Sequence, residues 1–160
     1  MSSPQTERRI DRLLAEYERD HRDPTNRRLH YLAVPLIFFC VVALVTELPV
    51  PDALKRLPGG WLLFAAIPAA IYYFRRSVSA GLVMVVFTLL CLGVIELLHA
   101  YVPVPVWLIA LGLFVILWVV QYVGHKIEGR RPSFFKDAQF LLIGPVWVFD
   151  KLLRPFGFRY

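Results

Sequence analysis

Apolar positions in this chain fall into one short striped segment and a series of long unbroken runs. From residue 7 to residue 20 the apolar residues are Ile10, Leu13, Leu14 and Tyr17. That is the i, i+3, i+4, i+7 stripe of an amphipathic helix, with arginines and acids on its other face. Such a helix lies on a membrane surface. Asp23-Pro24 then punctuates the chain: Asp is a good N-cap and Pro suits the first helical position, so a second helix starts at Pro24. The long runs follow at residues 31–48, 61–74, 79–102 and 106–123. Pro35 kinks the first, which membrane helices tolerate. The second has only 14 residues, short of the usual ~20 for a span. Residues 49–60, with Pro49, Pro51, Pro58 and Gly59-Gly60, form a loop, and Pro103 and Pro105 make a tight turn. After a polar stretch at 124–137, residues 138–153 are apolar but interrupted by Gly144-Pro145 and Asp150, which reads as an interfacial or re-entrant segment.

The fold class expected is therefore all-α: a polytopic membrane bundle of about four transmembrane helices, with an N-terminal amphipathic helix and a C-terminal interfacial segment. The 160 residues suit a single domain. Residues 1–30 would be its cytoplasmic amphipathic region, 31–123 the transmembrane bundle and 124–160 the cytoplasmic or interfacial tail. Composition agrees. Hydrophobic residues make up 58% of the chain, against about 45–50% in soluble domains. A cleavable leader is not expected, because the first apolar run begins behind a dense charged region.

Charge orients the bundle. Residues 1–30 hold seven Lys/Arg, Arg75-Arg76 add two and residues 124–160 hold seven, whereas Lys55 and Arg56 alone fall on the opposite side of four spans. The positive-inside rule puts both termini in the cytoplasm. The membrane is the inner one if the chain is bacterial and the endoplasmic reticulum if it is eukaryotic. A basic rim on an apolar body suits anionic lipid headgroups. Nucleic acid is not an expected partner, since the basic residues flank apolar runs and no nucleic-acid motif appears. Cys40 and Cys91 lie inside apolar runs and read as small buried hydrophobes, with neither a disulfide framework nor a zinc spacing.

The same topology brings three of the four histidines, His21, His30 and His125, to one membrane face. On one unbroken helix His21 and His30 would point to opposite sides, since nine residues rotate roughly 900°; the turn at Asp23-Pro24 is what lets them converge. Three neutral imidazoles at one interface form a first shell for iron or zinc, or are simply amphipathic surface residues. Gln121, His125 and Glu128 share a helix face if the last long helix continues past Gly124. Glu128 is then a carboxylate ligand, an acceptor orienting His125, or the partner of Arg130 or Arg131 in a salt bridge. Asn26, four residues before His30, either bonds a ligand histidine or caps its helix. Glu96 and His99 sit near the far end of the third run, where they pair with one another unless His99 is a further ligand. Arg130, Arg131 and Lys136 suit a carboxylate headgroup or form a solvated basic loop.

Two joint motifs resemble those of the 2-hydroxy fatty acid dioxygenase family. One consists of Tyr17, His21, Pro24, Asn26, His30 and Pro35. The other consists of Trp118, Gln121, Tyr122, Val123, Gly124, His125, Glu128, Arg130, Arg131 and Pro132, followed by Gly144-Pro145. The resemblance covers nearly the whole chain. It implies an iron(II)-dependent membrane dioxygenase that uses molecular oxygen to shorten a 2-hydroxy fatty acid by one carbon, an α-oxidation releasing carbon dioxide. It carries His21, His30 and His125 over as ligands, and places the acyl tail in the apolar body with its polar head at the cytoplasmic face. Rival readings are a non-enzymatic membrane or lipid-binding protein and a zinc-dependent membrane hydrolase. Bound metal and oxygen consumption separate the three.

Overall fold

The computed structural model describes residues 9–52, 59–129 and 134–157, the side chains of Arg9 and of 134–140 excepted. Six helices follow in order: α1 Arg9–Asp20, α2 Pro24–Thr46, α3 Trp61–Phe74, α4 Val78–Tyr101, α5 Val106–Glu128 and α6 Phe134–Leu153. Among the described residues there is no strand. Three of the helices, α2, α4 and α5, are long and apolar enough to cross a membrane. At 14 residues α3 is shorter, about 21 Å at 1.5 Å per residue against a hydrocarbon core of about 30 Å.

Helix starts follow local chemistry. Asp23 caps α2, its Oδ1 accepting from the amides of Thr25 at 2.8 Å and Asn26 at 3.0 Å, with Pro24 at the first position. Pro35 lies inside α2 without ending it. α5 does run past Gly124, and stops at Gly129, which takes the left-handed conformation (φ 72°) that glycine adopts without strain.

α2 is the central mast. Its Val34 joins the cluster formed with α1, α3, α4 and α6. Ala33, Ile37 and Cys40 pack with Leu117 of α5, and Val42 and Ala43 pack with Cys91, Ile95, Val106 and Ala110. Asn26 lies beside Gly124 at one end, whereas Ala43 meets Val106 and Ala110 at the other. The two helices are therefore antiparallel. The outer faces of α4 and α5 leave Leu82, Leu89, Leu90, Val115 and Ile116 exposed, an apolar surface of the kind that faces lipid.

The α1 stripe faces the bundle. Ile10, Leu14 and Tyr17 are buried against Ile143, Val146, Trp147 and Val148 of α6. Here the structure corrects the expectation of a broken C-terminal segment: α6 is one continuous helix across Gly144-Pro145. Two contacts account for this. Tyr73 of α3 donates its hydroxyl to the Leu142 carbonyl at 2.8 Å, in the turn that the proline disturbs. Gly144 leaves room for Val34 and the Tyr17 hydroxyl, which a Cβ at that position would meet at 2.9 and 3.2 Å. The buried Asp150 is neutralised by Arg154 at 2.9 Å.

Candidate metal centre

His21 follows the last residue of α1, in the short break before α2. Its Nδ1 lies 2.7 Å from the Tyr17 carbonyl. A carbonyl only accepts, so Nδ1 carries the proton and Nε2 keeps its lone pair. His30, one turn into α2 from Asn26, repeats the arrangement, its Nδ1–H donating to the Asn26 carbonyl at 2.9 Å. His125 comes from the last turn of α5. The ring centroids are 4.3 Å apart for His21 and His30, 5.1 Å for His30 and His125, and 5.4 Å for His21 and His125. One ligand nitrogen from each of the three lies within 4.8 Å of the others. Around a metal with bonds of about 2.0–2.1 Å, such nitrogens stand roughly 3.0–3.4 Å apart. The triad thus needs to contract by about an ångström or so, within the range of side-chain rotation, and its donor set fits a divalent transition metal.

The surroundings fix the rings. Tyr17 stacks on His21 at 4.2 Å and 14°, backed by Trp147, which is completely buried and 5.1 Å from Tyr17. Behind the break, the Glu128 carboxylate accepts from the Arg22 amide (2.8 Å), the Asp23 amide (2.9 Å) and Asn26 Nδ2 (3.1 Å). Glu128 is thus one turn from His125 but engaged with α2 and the break. Of the three roles open to it from sequence, none names these backbone partners. Asn26 serves doubly, with its carbonyl on His30 and its side chain on Glu128. Gln121 is buried on α5 one turn before His125, and its Oε1 has no hydrogen-bond partner among the described residues.

His99 does not join the triad. Its Nε2 contacts Glu47 Oε1 at 2.8 Å, at the opposite end of α2 from His30, roughly 25 Å away along the helix. Its partner is accordingly Glu47, across 52 residues, and not the neighbouring Glu96, which is exposed. Arg130 and Arg131 lie outside the described residues, as does the side chain of Lys136. Trp147 escaped the sequence reading. An aromatic inside an apolar run carries no signal for a place beside a histidine cluster.

Burial lowers the pKa of His21 below its ordinary 6.5, and the nearby His125 adds to the effect. The neutral imidazole that a metal requires is therefore the resting form at pH 7. Because the folded-state value is depressed, stability is full above the unfolded value and is lost as pH falls through 6.5 toward the folded value. The melting temperature of the metal-free protein should therefore decline as pH falls below about 6.5. A melting temperature unchanged between pH 7 and pH 5 would show that folding does not depress the His21 imidazole.

Comparison with known proteins agrees with the motif reading. The family described as "2-hydroxy-palmitic acid dioxygenase Mpo1-like" matches residues 8–156. The chain is 29% identical over 147 residues to the 2-hydroxy-palmitic acid dioxygenase MPO1 of Saccharomyces cerevisiae, covering 91% of this chain and 80% of the yeast protein. No solved structure matches significantly. With both histidine-bearing motifs and all six helices inside the matched residues, the chain belongs to the Mpo1-like family.

Proposed function

We propose that this protein is a membrane dioxygenase, dependent on iron(II), that shortens 2-hydroxy fatty acids by one carbon. The observation that carries the proposal is the convergence of His21, His30 and His125, two of them buried, each bringing a nitrogen within 4.8 Å of the others, in a chain whose yeast relative is named a 2-hydroxy-palmitic acid dioxygenase. The net reaction gives the acid one carbon shorter, carbon dioxide and water from one 2-hydroxy acid and one dioxygen. It balances in atoms and electrons without a further reductant. Bound iron(II) would supply the redox chemistry with dioxygen, and a three-histidine set leaves it positions for a chelating 2-hydroxy carboxylate.

The chain's own groups do the rest. The Tyr17 and Asn26 carbonyls hold the two buried imidazoles by Nδ1, leaving each Nε2 as the atom that would hold the ion. Gln121 Oε1, buried without a donor among the described residues, is the acceptor we assign to the substrate hydroxyl. Arg130 and Arg131, next in sequence after the α5 terminus, are the cations we assign to its carboxylate. For the acyl tail we assign the open apolar groove of about 310 Å³ lined by Phe114, Val115, Trp118, Val119 and Tyr122. His125 follows Trp118 and Phe114 by seven and eleven residues, so it lies on their side of α5. The distribution of Lys/Arg supports an orientation with both termini, and with them the triad, at the cytoplasmic face. Cysteine labelling at the two ends from opposite sides would overturn that orientation.

The test is anaerobic purification, metal analysis, and assay with 2-hydroxypalmitic acid and oxygen. Iron, oxygen uptake and the acid one carbon shorter are expected. Zinc without oxygen uptake would indicate a hydrolase, and no metal at all a lipid-binding protein. Val119→Trp, which fills the groove, should raise KM for this acid about tenfold, as if two methylenes at about 0.8 kcal/mol each had lost their place. Short-chain 2-hydroxy acids should be spared.

A further inference from the structure

Of the three histidines, His21 alone is not carried by a helix. His30 and His125 take their places from α2 and α5, whereas the place of His21 depends on the path of residues 21–23. Here the chain has left α1, and the amides of Arg22 and Asp23 have no helical acceptor. Glu128 takes both, at 2.8 and 2.9 Å, one with each carboxylate oxygen. It also takes Asn26 Nδ2 from the first turn of α2 at 3.1 Å, so a single carboxylate spans the break from one side to the other. The geometry requires a gap on α5 one turn earlier. Gly124 provides it, since a Cβ there would collide with Asn26 Oδ1 and stand 3.5 Å from Leu29 Cδ1.

We infer that Glu128 is a positioning residue for His21: with Asn26 and Gly124 it forms a clamp that holds the α1–α2 break and so delivers the third imidazole to the other two. This rests on the metal reading above and adds to it a mechanism of assembly. Glu128 is three residues from His125 in sequence, yet it acts on the ligand 107 positions away. Its carboxylate bonds the break and the first turn of α2. The arrangement makes α1 an arm whose histidine is locked by α5. Gln in place of Glu128 must turn an NH2 toward at least one of the two backbone donors, and cannot accept both.

The experiment uses the full-length protein in detergent with cobalt(II) as the probe. Glu128→Gln should weaken cobalt binding about 10–100-fold and alter the ligand-field spectrum of the protein that still binds. Gly124→Ala, whose added methyl would press on Asn26 Oδ1 and leave the Glu128 carboxylate itself unaltered, should change both in the same direction. The route of the effect is read from two backgrounds. With His21→Ala already in place, adding Glu128→Gln should change affinity less than twofold. With His125→Ala in place, it should cost the full factor. The reverse pattern would assign Glu128 to His125 and overturn the clamp. Hydrogen exchange of the metal-free protein gives a readout free of metal: the amides of Arg22 and Asp23 should exchange faster in Glu128→Gln, while α2 beyond His30 stays protected. Unchanged exchange with unchanged affinity overturns the clamp alone. A wild-type protein that binds no cobalt overturns the metal reading on which the positioning role depends.

Discussion

Replacing His21, His30 or His125 with Ala should each abolish turnover and leave the purified protein without stoichiometric iron. All three losses follow from one geometry. The triad brings three nitrogens within 4.8 Å of one another, so each deletion leaves two ligands. The cost should exceed the 10–100-fold typical of groups that only support a ligand. His30 is the most instructive. It is 2% exposed, lies within α2 and bonds Asn26, so its removal leaves the helix and its cap intact and takes away only the imidazole. Thermal melting reads the same event without an activity assay. A metal at a thousand times its Kd stabilises the folded state by about 4.1 kcal/mol, and that stabilisation should be absent in all three variants. His99→Ala, which breaks the contact with Glu47 at the far end of α2, should keep wild-type iron. Normal iron content and activity in His125→Ala would refute the centre outright.

Much of this arrangement is legible before any coordinates, for physical reasons that differ from place to place. Asp23-Pro24 marks a helix start because Asp caps and Pro lacks the amide that a first turn leaves unused, and α2 begins there. Gln121, His125 and Glu128 share a face because α5 continues to Gly129, and only a helix makes that spacing mean proximity. Long-range partners are another matter. Nothing in the spacing of Glu128 reveals that it accepts from two backbone amides more than a hundred residues away, because backbone donors leave no mark in a sequence. Nothing reveals that His99 finds Glu47 rather than Glu96. Gly144-Pro145 reads as a break on local rules, and the rule yields because Tyr73 engages the neighbouring carbonyl and Gly144 admits Tyr17 and Val34. The amphipathic stripe of α1 likewise predicts a buried face without saying that α6, rather than lipid, buries it.

Trp147→Ala should be the most destabilising single substitution away from the histidines, by about 3–5 kcal/mol for a fully buried tryptophan. The ring is 0% exposed. It stacks on Tyr31 at 4.9 Å and 19°, backs Tyr17 at 5.1 Å, and has the Arg27 guanidinium 5.8 Å from its centroid. Tyr17 in turn stacks on His21. The cavity left by Ala would therefore open behind His21, the proposed ligand, and metal affinity should fall together with the melting temperature. Trp147→Phe separates packing from polarity. The Trp147 Nε1 is buried with no acceptor among the described residues, a burden of about 1–3 kcal/mol on the wild type. Phe keeps an aromatic ring in the stack and removes that unpaired donor, so the relief offsets part of the lost volume. Trp147→Phe should accordingly cost under about 1.5 kcal/mol and retain wild-type metal binding. Thermal unfolding in detergent, with and without metal, measures both variants. Equal losses for Phe and Ala would mean that the indole nitrogen, and not the aromatic stack, holds α6 against the histidine cluster.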